Sequence, residues 1–353
     1  MKKLFLFLVV LMFAGAGGVG VLYQRVQEPY RGYEGDAADV EIPAGAGTRG
    51  IGDRLVEAGV IRDTLTFRAA LYLSGDARRL KAGEYRFEQP MTPADVLGKI
   101  ARGEVDLLRI TFREGLTIGD MAALFESQGL GPAADFRKAA TNASLVSAID
   151  PAATDLEGYL FPDTYALSRR ADAAVLVAAM VDRFTKVLTP ELKDAAAARG
   201  LSVRQLVTLA SIVEKETGAG AERPMVAAVY ANRLRIGMGL QCDPTVIYAL
   251  QRAGRFNGNL RRDDLAFDSP YNTYRYAGLP PGPIAAPGRD SLLAAATPAD
   301  VDYIYFVSRN DGTHAFARTL DEHNRNVQKF QVQYFRDKRL AARRAEQNAN
   351  LGR

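Results

Sequence analysis

The sequence predicts an α+β protein with an apolar N-terminal helix, a small α/β subdomain and a larger mixed α+β domain carrying a C-terminal β-hairpin. Three observations lead there. Leu4 to Tyr23 is a run of twenty uncharged, mostly apolar residues. A strand, a glycine turn and an amphipathic helix are written twice between Val40 and Leu130. Beyond residue 130 helical periods dominate until two β-rich runs flank Asn310-Asp311-Gly312, a hairpin turn. With 353 residues, 48% hydrophobic and 24% charged, the chain is long enough and apolar enough to bury a real core.

The apolar run is long enough at helical rise to span a bilayer core. Lys2 and Lys3 precede it, and the next charge is Arg25. The positive-inside bias then leaves the N-terminus cytoplasmic and the bulk of the chain outside. A cleaved signal peptide is the rival, with Leu4 to Phe13 as its apolar region and Ala14-Gly15-Ala16 as the cleavage site. Either way the folded part is exported. The expected organisation is an anchor over 1–24, a polar linker over 25–39, the small subdomain over 40–130, the larger domain over 131–335 and a basic tail over 336–353.

Composition excludes several classes. A net charge of +4 is too small to argue for nucleic acid. Cys242 is the single cysteine, so an intrachain disulfide or cysteine-built metal site is impossible. His314 and His323 are the only histidines and lack metal-ligand spacing, so neither metal nor cofactor is expected.

Within the small subdomain, "VEIPAGAGTRGIGDRLVEAGVI" and "LRITFREGLTIGDMAALFESQGL" each read as strand, turn and helix. Between them "LKAGEYRFEQPMTPADVLGKIARGE" gives another strand and a helix capped near Thr92, with Pro93 in its first turn. Units with such turns resemble the LysM module, a glycan-binding fold. A linker domain of packed small elements fits the same pattern. Further on, "DLEGYLFPDTYAL" breaks an Ala-rich helical stretch, placing Tyr159, Phe161 and Tyr165 around Glu157 and Asp163. Aromatics stack on sugar rings while carboxylates accept hydroxyls, so this is either a sugar platform or a packed connector.

"SVRQLVTLASIVEKETG" is a helix from a Ser202 cap to a stop at Gly218. Its period puts Val203, Val207, Ala210 and Glu214 on one stripe and Gln205, Leu209, Ile212 and Glu216 on another. Both glutamates adjoin apolar surface at the negative end of the helix dipole, conditions that keep a carboxyl protonated for general-acid work. Periodicity does not choose between them, and a salt-bridged structural pair fits as well. Downstream, Asn232, Arg233, Gln241 and Asp243 stand at helix ends and turns, where side chains reach a cleft. Tyr271, Asn272, Thr273 and Tyr274 precede the stiff run "GLPPGPIAAPG", reading as a carbohydrate groove.

Taken together, "LASIVEKET", "VYANRLRIGMGLQCDPTVIYAL", "YNTYRYAGLPPGPIAAPG" and "DYIYFVSRNDGTHAF" resemble the endolytic murein transglycosylase family of YceG-like proteins. The anchor, the LysM-like segment and "EGYLFPDTY" come in that family's order. The resemblance implies an inner-membrane-anchored enzyme with a periplasmic catalytic domain, working beside cell-wall synthesis machinery. It implies cleavage of the MurNAc-β-1,4-GlcNAc bond within peptidoglycan strands, leaving 1,6-anhydro ends. The family's acid precedes Thr in "EKET", which is Glu216. Glu157 and Asp243 become positioning groups, or the second carboxylate of a rival hydrolytic muramidase. A non-catalytic wall-binding scaffold is the other alternative. Cys242 stands where the family commonly has Thr, and Pro270 where a small residue is usual; neither is expected to touch the acid.

Overall fold

A helix that begins in an apolar tail and ends inside a folded core organises the N-terminal part. The computed structural model describes residues 2–168 and 171–351, with the side chains of residues 2–11, 14 and 344–351 outside the description. Contacts divide the chain into two compact units, Met1–Arg109 with Ala166–Ala171, and Ile110–Tyr165 with Asp172–Arg353.

Unit one opens with α1 (Lys2–Gln27), whose Val26 is 2% exposed in the unit's hydrophobic core. There follow β1 (Ala38–Ile42), α2 (Thr48–Glu57), α3 (Thr64–Ser74), β2 (Gly83–Phe87) and α4 (Pro93–Arg102). β1 alternates inward Ala38, Val40 and Ile42 with exposed Asp39 and Glu41, the period of a half-buried strand. It pairs antiparallel with β2, Val40 opposite Tyr85. Thr92 caps α4 through the Asp95 amide, with Pro93 in the first turn as expected. The span expected at Leu4–Tyr23 lies in α1, with the side chains of residues 4–11 and 14 outside the description. Among the described residues no helix is long and apolar enough to cross a membrane.

Residues 25–39 do not form the free stalk that their polarity suggested. The Tyr30 amide donates to Met91 O at 3.0 Å and the Gly32 amide to Gly59 O at 2.8 Å, so backbone pairing ties this stretch to unit one. The expected small subdomain also divides. Its second strand-turn-helix leaves unit one at Arg109, and its helix α5 (Ile118–Ser127) belongs to unit two. β3 (Leu107–Thr111) pairs with a strand the sequence did not disclose, β4 (Thr164–Ser168), where the "EGYLFPDTYAL" loop straightens.

Unit two continues with α6 (Ala133–Ala140), α7 (Ala173–Val187), α8 (Pro190–Ala198), α9 (Val203–Glu216), α10 (Arg223–Arg235), α11 (Asp243–Arg252) and α12 (Arg289–Ala296). The hairpin β5 (Tyr305–Ser308) and β6 (His314–Ala317) precedes α13 (Leu320–Val327) and α14 (Tyr334–Leu351). α9 is the central member, packed against α8, α10, α11 and α12. Ser202 and Gln205 close a capping box at its start, and every residue from Leu206 to Val213 is buried. The long Pro/Gly loop crosses it closely: Ser211 Oγ accepts the Ile284 amide at 3.0 Å. Gly158 permits a second close approach, at φ +81°, where a Cβ would meet the Pro283 Cβ at 2.4 Å. Gly158→Ala combines left-handed strain with overpacking and should cost about 2–4 kcal/mol, read from denaturant unfolding.

Candidate active site

Glu216 is the last residue of α9, so the buried helix fixes where its carboxyl emerges. Thr217 turns the chain extended, at φ −135° and ψ 130°, and accepts the Ala219 amide through its hydroxyl. Tyr230 of α10 donates its phenolic hydrogen to Glu216 Oε1 at 2.5 Å. Tyr230 is 1% exposed, and Phe306 of β5 meets it edge-on at 5.9 Å. The Cys242 thiol, fully buried, lies beside the same carboxyl. Burial pushes the Glu216 carboxyl up, while the Tyr230 and Cys242 hydrogen bonds oppose the rise. Burial and hydrogen bonding thus act on this carboxyl in opposite directions.

The turn before α11 borders this carboxyl. Gln241 adopts φ 51°, unusual for a non-glycine, and its amide donates to Thr273 O at 3.1 Å. The Cys242 amide donates to Thr273 Oγ1 at 3.0 Å, and Thr245 Oγ1 lies 2.9 Å from the same hydroxyl. The 271–274 loop is thereby stitched to the start of α11. Tyr274 donates to Asp243 Oδ1 at 2.6 Å, and Glu216 feels the field of Asp243. Gln241, Asp243 and Tyr274 are all exposed, forming an open polar rim beside the acid.

Other expected site residues are engaged elsewhere. Asn272 is buried and donates to Leu265 O and Phe267 O, holding its loop. Tyr271 packs its ring 5.0 Å from Tyr248. Asn232 donates to Val301 O and Tyr303 O, and Arg233 to Ile304 O and Leu240 O, so both fasten backbone. Tyr159 is buried and donates to Asp150, which Arg204 pairs at 2.9 Å. Tyr165 donates to Phe161 O, and Asp163 accepts from Arg183 at 2.8 Å. These three belong to the packing of the "EGYLFPDTY" segment.

The other two carboxylates separate clearly. Glu214 pairs with Arg223 at 3.1 Å and accepts the Gly288 amide at 2.9 Å, a tie between α9, α10 and the start of α12. Glu157 accepts the Ile118 amide at the N-terminus of α5 and the Tyr248 hydroxyl. Burial pushes it up to about 8, against the Ile118 hydrogen bond and with Asp155 adding to the rise. Two features escaped the sequence. Tyr230 lies fourteen residues from its partner, beyond any local pattern. Cys242, expected to stand clear of the acid, touches it. Nearby, His314 Nδ1 sits 2.8 Å from Glu222 Oε2, and its ring packs edge-on against Phe306.

Comparison with known proteins settles the family. The YceG-like family model matches residues 40–329. The chain belongs to the YceG-like family. The endolytic murein transglycosylase of Bacillus subtilis is 30% identical over 331 residues, 89% of this chain and 90% of that protein. A protein of the same name from Streptococcus pneumoniae strain D39 is 30% identical over 360 residues, 91% of this chain and 64% of that one. The 2.6 Å crystal structure of a YceG-like protein from Listeria monocytogenes matches with a TM-score of 0.56 at 32% identity. That match covers 82% of this chain and 98% of the Listeria chain.

Two outcomes follow for this YceG-like site. Tyr230→Phe removes a donor that favours the Glu216 anion, so the acid's pKa rises and the alkaline limb of the pH–rate profile moves to higher pH. Turnover should fall about 10- to 100-fold as the carboxyl loses its orientation. Glu157 titrates higher folded than unfolded, so its contribution to stability is present below about 4.5 and lost as pH climbs through about 8. Glu157→Gln should flatten that decline, worth on the order of a few kcal/mol, in unfolding curves between those pH values.

Proposed function

We propose that this chain is an endolytic murein transglycosylase in which Glu216 serves as acid and then as base. The supporting observation is the Glu216 carboxyl at the end of a buried helix, raised by burial, with Tyr230 donating to it and Cys242 beside it. Protonated Glu216 gives its hydrogen to the glycosidic oxygen as the C1–O bond breaks, releasing the GlcNAc side as an alcohol. Positive charge spreads over C1 and the ring oxygen of MurNAc. The Glu216 carboxylate, steadied by the Tyr230 hydroxyl, takes the proton of the C6 hydroxyl while O6 bonds to C1. Water is not consumed, so the acid returns to its starting state without a second carboxylate.

The surroundings favour this reading over a two-carboxylate hydrolase. Glu157 is held by the α5 N-terminus and Tyr248, and Asp243 accepts a hydrogen bond from Tyr274. In our reading the exposed rim of Gln241, Asp243 and Tyr274 positions sugar, and Asn272 and Thr273 hold that rim in place. Unit one, with its strand–helix–helix–strand order, serves as the LysM-like element that engages glycan. α1 is a single-pass inner-membrane anchor, N-terminus cytoplasmic, placing both units in the periplasm. An endolytic lyase so placed shortens nascent strands beside the machinery that extends them.

Glu216→Gln keeps the shape of the side chain and removes its proton chemistry. It should fold and bind glycan strands with a loss of about 10²–10⁴-fold in cleavage, while Glu214→Gln is expected to lower stability first. Mass spectrometry of digested strands should give anhydro ends, one water lighter than reducing ends. Reducing ends as the main product would indicate a muramidase; undiminished cleavage by Glu216→Gln would remove the residue from the mechanism.

A further inference from the structure

The outward face of α3 has an unusual composition for a helix of a small soluble unit. Thr66, Phe67 and Ala70 face the core, while Leu65, Tyr72 and Leu73 are 60%, 88% and 58% exposed. Seven residues bring a helix back to nearly the same side, so Leu65 and Tyr72 share one line, flanked by exposed Arg68 on one edge and Leu73 on the other. Residues 62–81 carry Arg62, Arg68, Arg78, Arg79 and Lys81 against Asp63 and Asp76. An apolar, tyrosine-bearing stripe edged with arginine is the chemistry of an interfacial helix on an anionic bilayer surface.

The position of that face within unit one points the same way. α1 continues without a break to Gln27, and Val26 is in the core, so no flexible stalk separates the apolar run from the folded unit. Arg25 pairs with Asp63, the N-cap of α3, at 3.4 Å. Arg62 pairs with Glu28 and lies 4.8 Å over the Tyr30 ring. The start of α3 is thus pinned within two residues of Tyr23, where the apolar run ends. Helical rise keeps Tyr72 within about 14 Å of that pinned end. α1 itself exposes Phe13, Val19, Val21 and Tyr23 along this stretch, with no protein cover in unit one.

We infer that α3 docks through Leu65, Tyr72 and Leu73 into the headgroup region of the bilayer that α1 crosses, with Arg68 on lipid phosphate. The inference rests on reading α1 as a membrane span. Docking fixes unit one against the membrane surface instead of leaving it to swing on its anchor.

The full chain, carrying a nitroxide label at Tyr72→Cys or at Phe13→Cys, is reconstituted sparsely in phosphatidylethanolamine–phosphatidylglycerol vesicles. Natural Cys242 is buried and leaves the engineered thiol as the reactive one. Docking predicts that the Tyr72 label collides with oxygen and is shielded from an aqueous nickel chelate. The Phe13 label should be shielded more deeply. A lipid-shielded Phe13 label with a Tyr72 label open to nickel overturns the docking and leaves the anchor standing. A Phe13 label open to nickel overturns both. A Tyr72 label shielded from nickel and oxygen alike means a protein covers it, which also overturns the lipid assignment.

Discussion

Unit two depends on the complete burial of α9. From Leu206 to Val213 no side chain of this helix meets solvent, because α8, α10, α11, α12 and the Pro/Gly loop enclose it. Full burial of a large aliphatic side chain stabilises by about 1.5–3 kcal/mol, so rotating or sliding this helix would forfeit several such terms at once. Its last residue consequently has a fixed address. A general acid needs that fixity more than it needs any particular strength, since reacting groups misplaced by an ångström lose most of their advantage.

Around that address two opposing effects are balanced. Burial alone pushes the Glu216 carboxyl up and makes its anion costly. The Tyr230 hydroxyl donates to it, and Cys242 and the more distant His314 also lower the cost of the anion. The proposed reaction needs this balance, since one side chain there alternates between acid and base within a turnover. The neighbouring Glu214 is engaged differently: it pairs with Arg223 and accepts the Gly288 amide, joining α9, α10 and α12. Two glutamates separated by one lysine are assigned different duties by what reaches them from other parts of the chain.

Unit one answers to a different constraint. Its core takes in the end of α1 through Val26, so the apolar N-terminal helix and the small sheet form one folded body. The short segment read as a linker is consumed by the Tyr30–Met91 and Gly32–Gly59 backbone hydrogen bonds.

Local chemistry wrote much of this fold legibly. Thr92 and Pro93 mark the start of α4, Ser202 caps the start of α9, and Asn310-Asp311-Gly312 turns the β5–β6 hairpin, because caps and turns depend on residues a few positions apart; the end of α9, expected at Gly218, comes at Glu216, where Thr217 turns extended. The family could also be read from sequence, since its motifs are contiguous. Tertiary structure decided what those rules do not reach. Periodicity placed Glu214 and Glu216 equally against apolar surface; in the fold Arg223 reaches the one and Tyr230 the other. Asn232 and Arg233 find their hydrogen-bond partners in the carbonyls of 301–304, about seventy positions away. β4 is a strand only because β3 lies beside it. A sequence specifies which side chains want burial or a partner; which partner each one finds is set by the packing of distant segments.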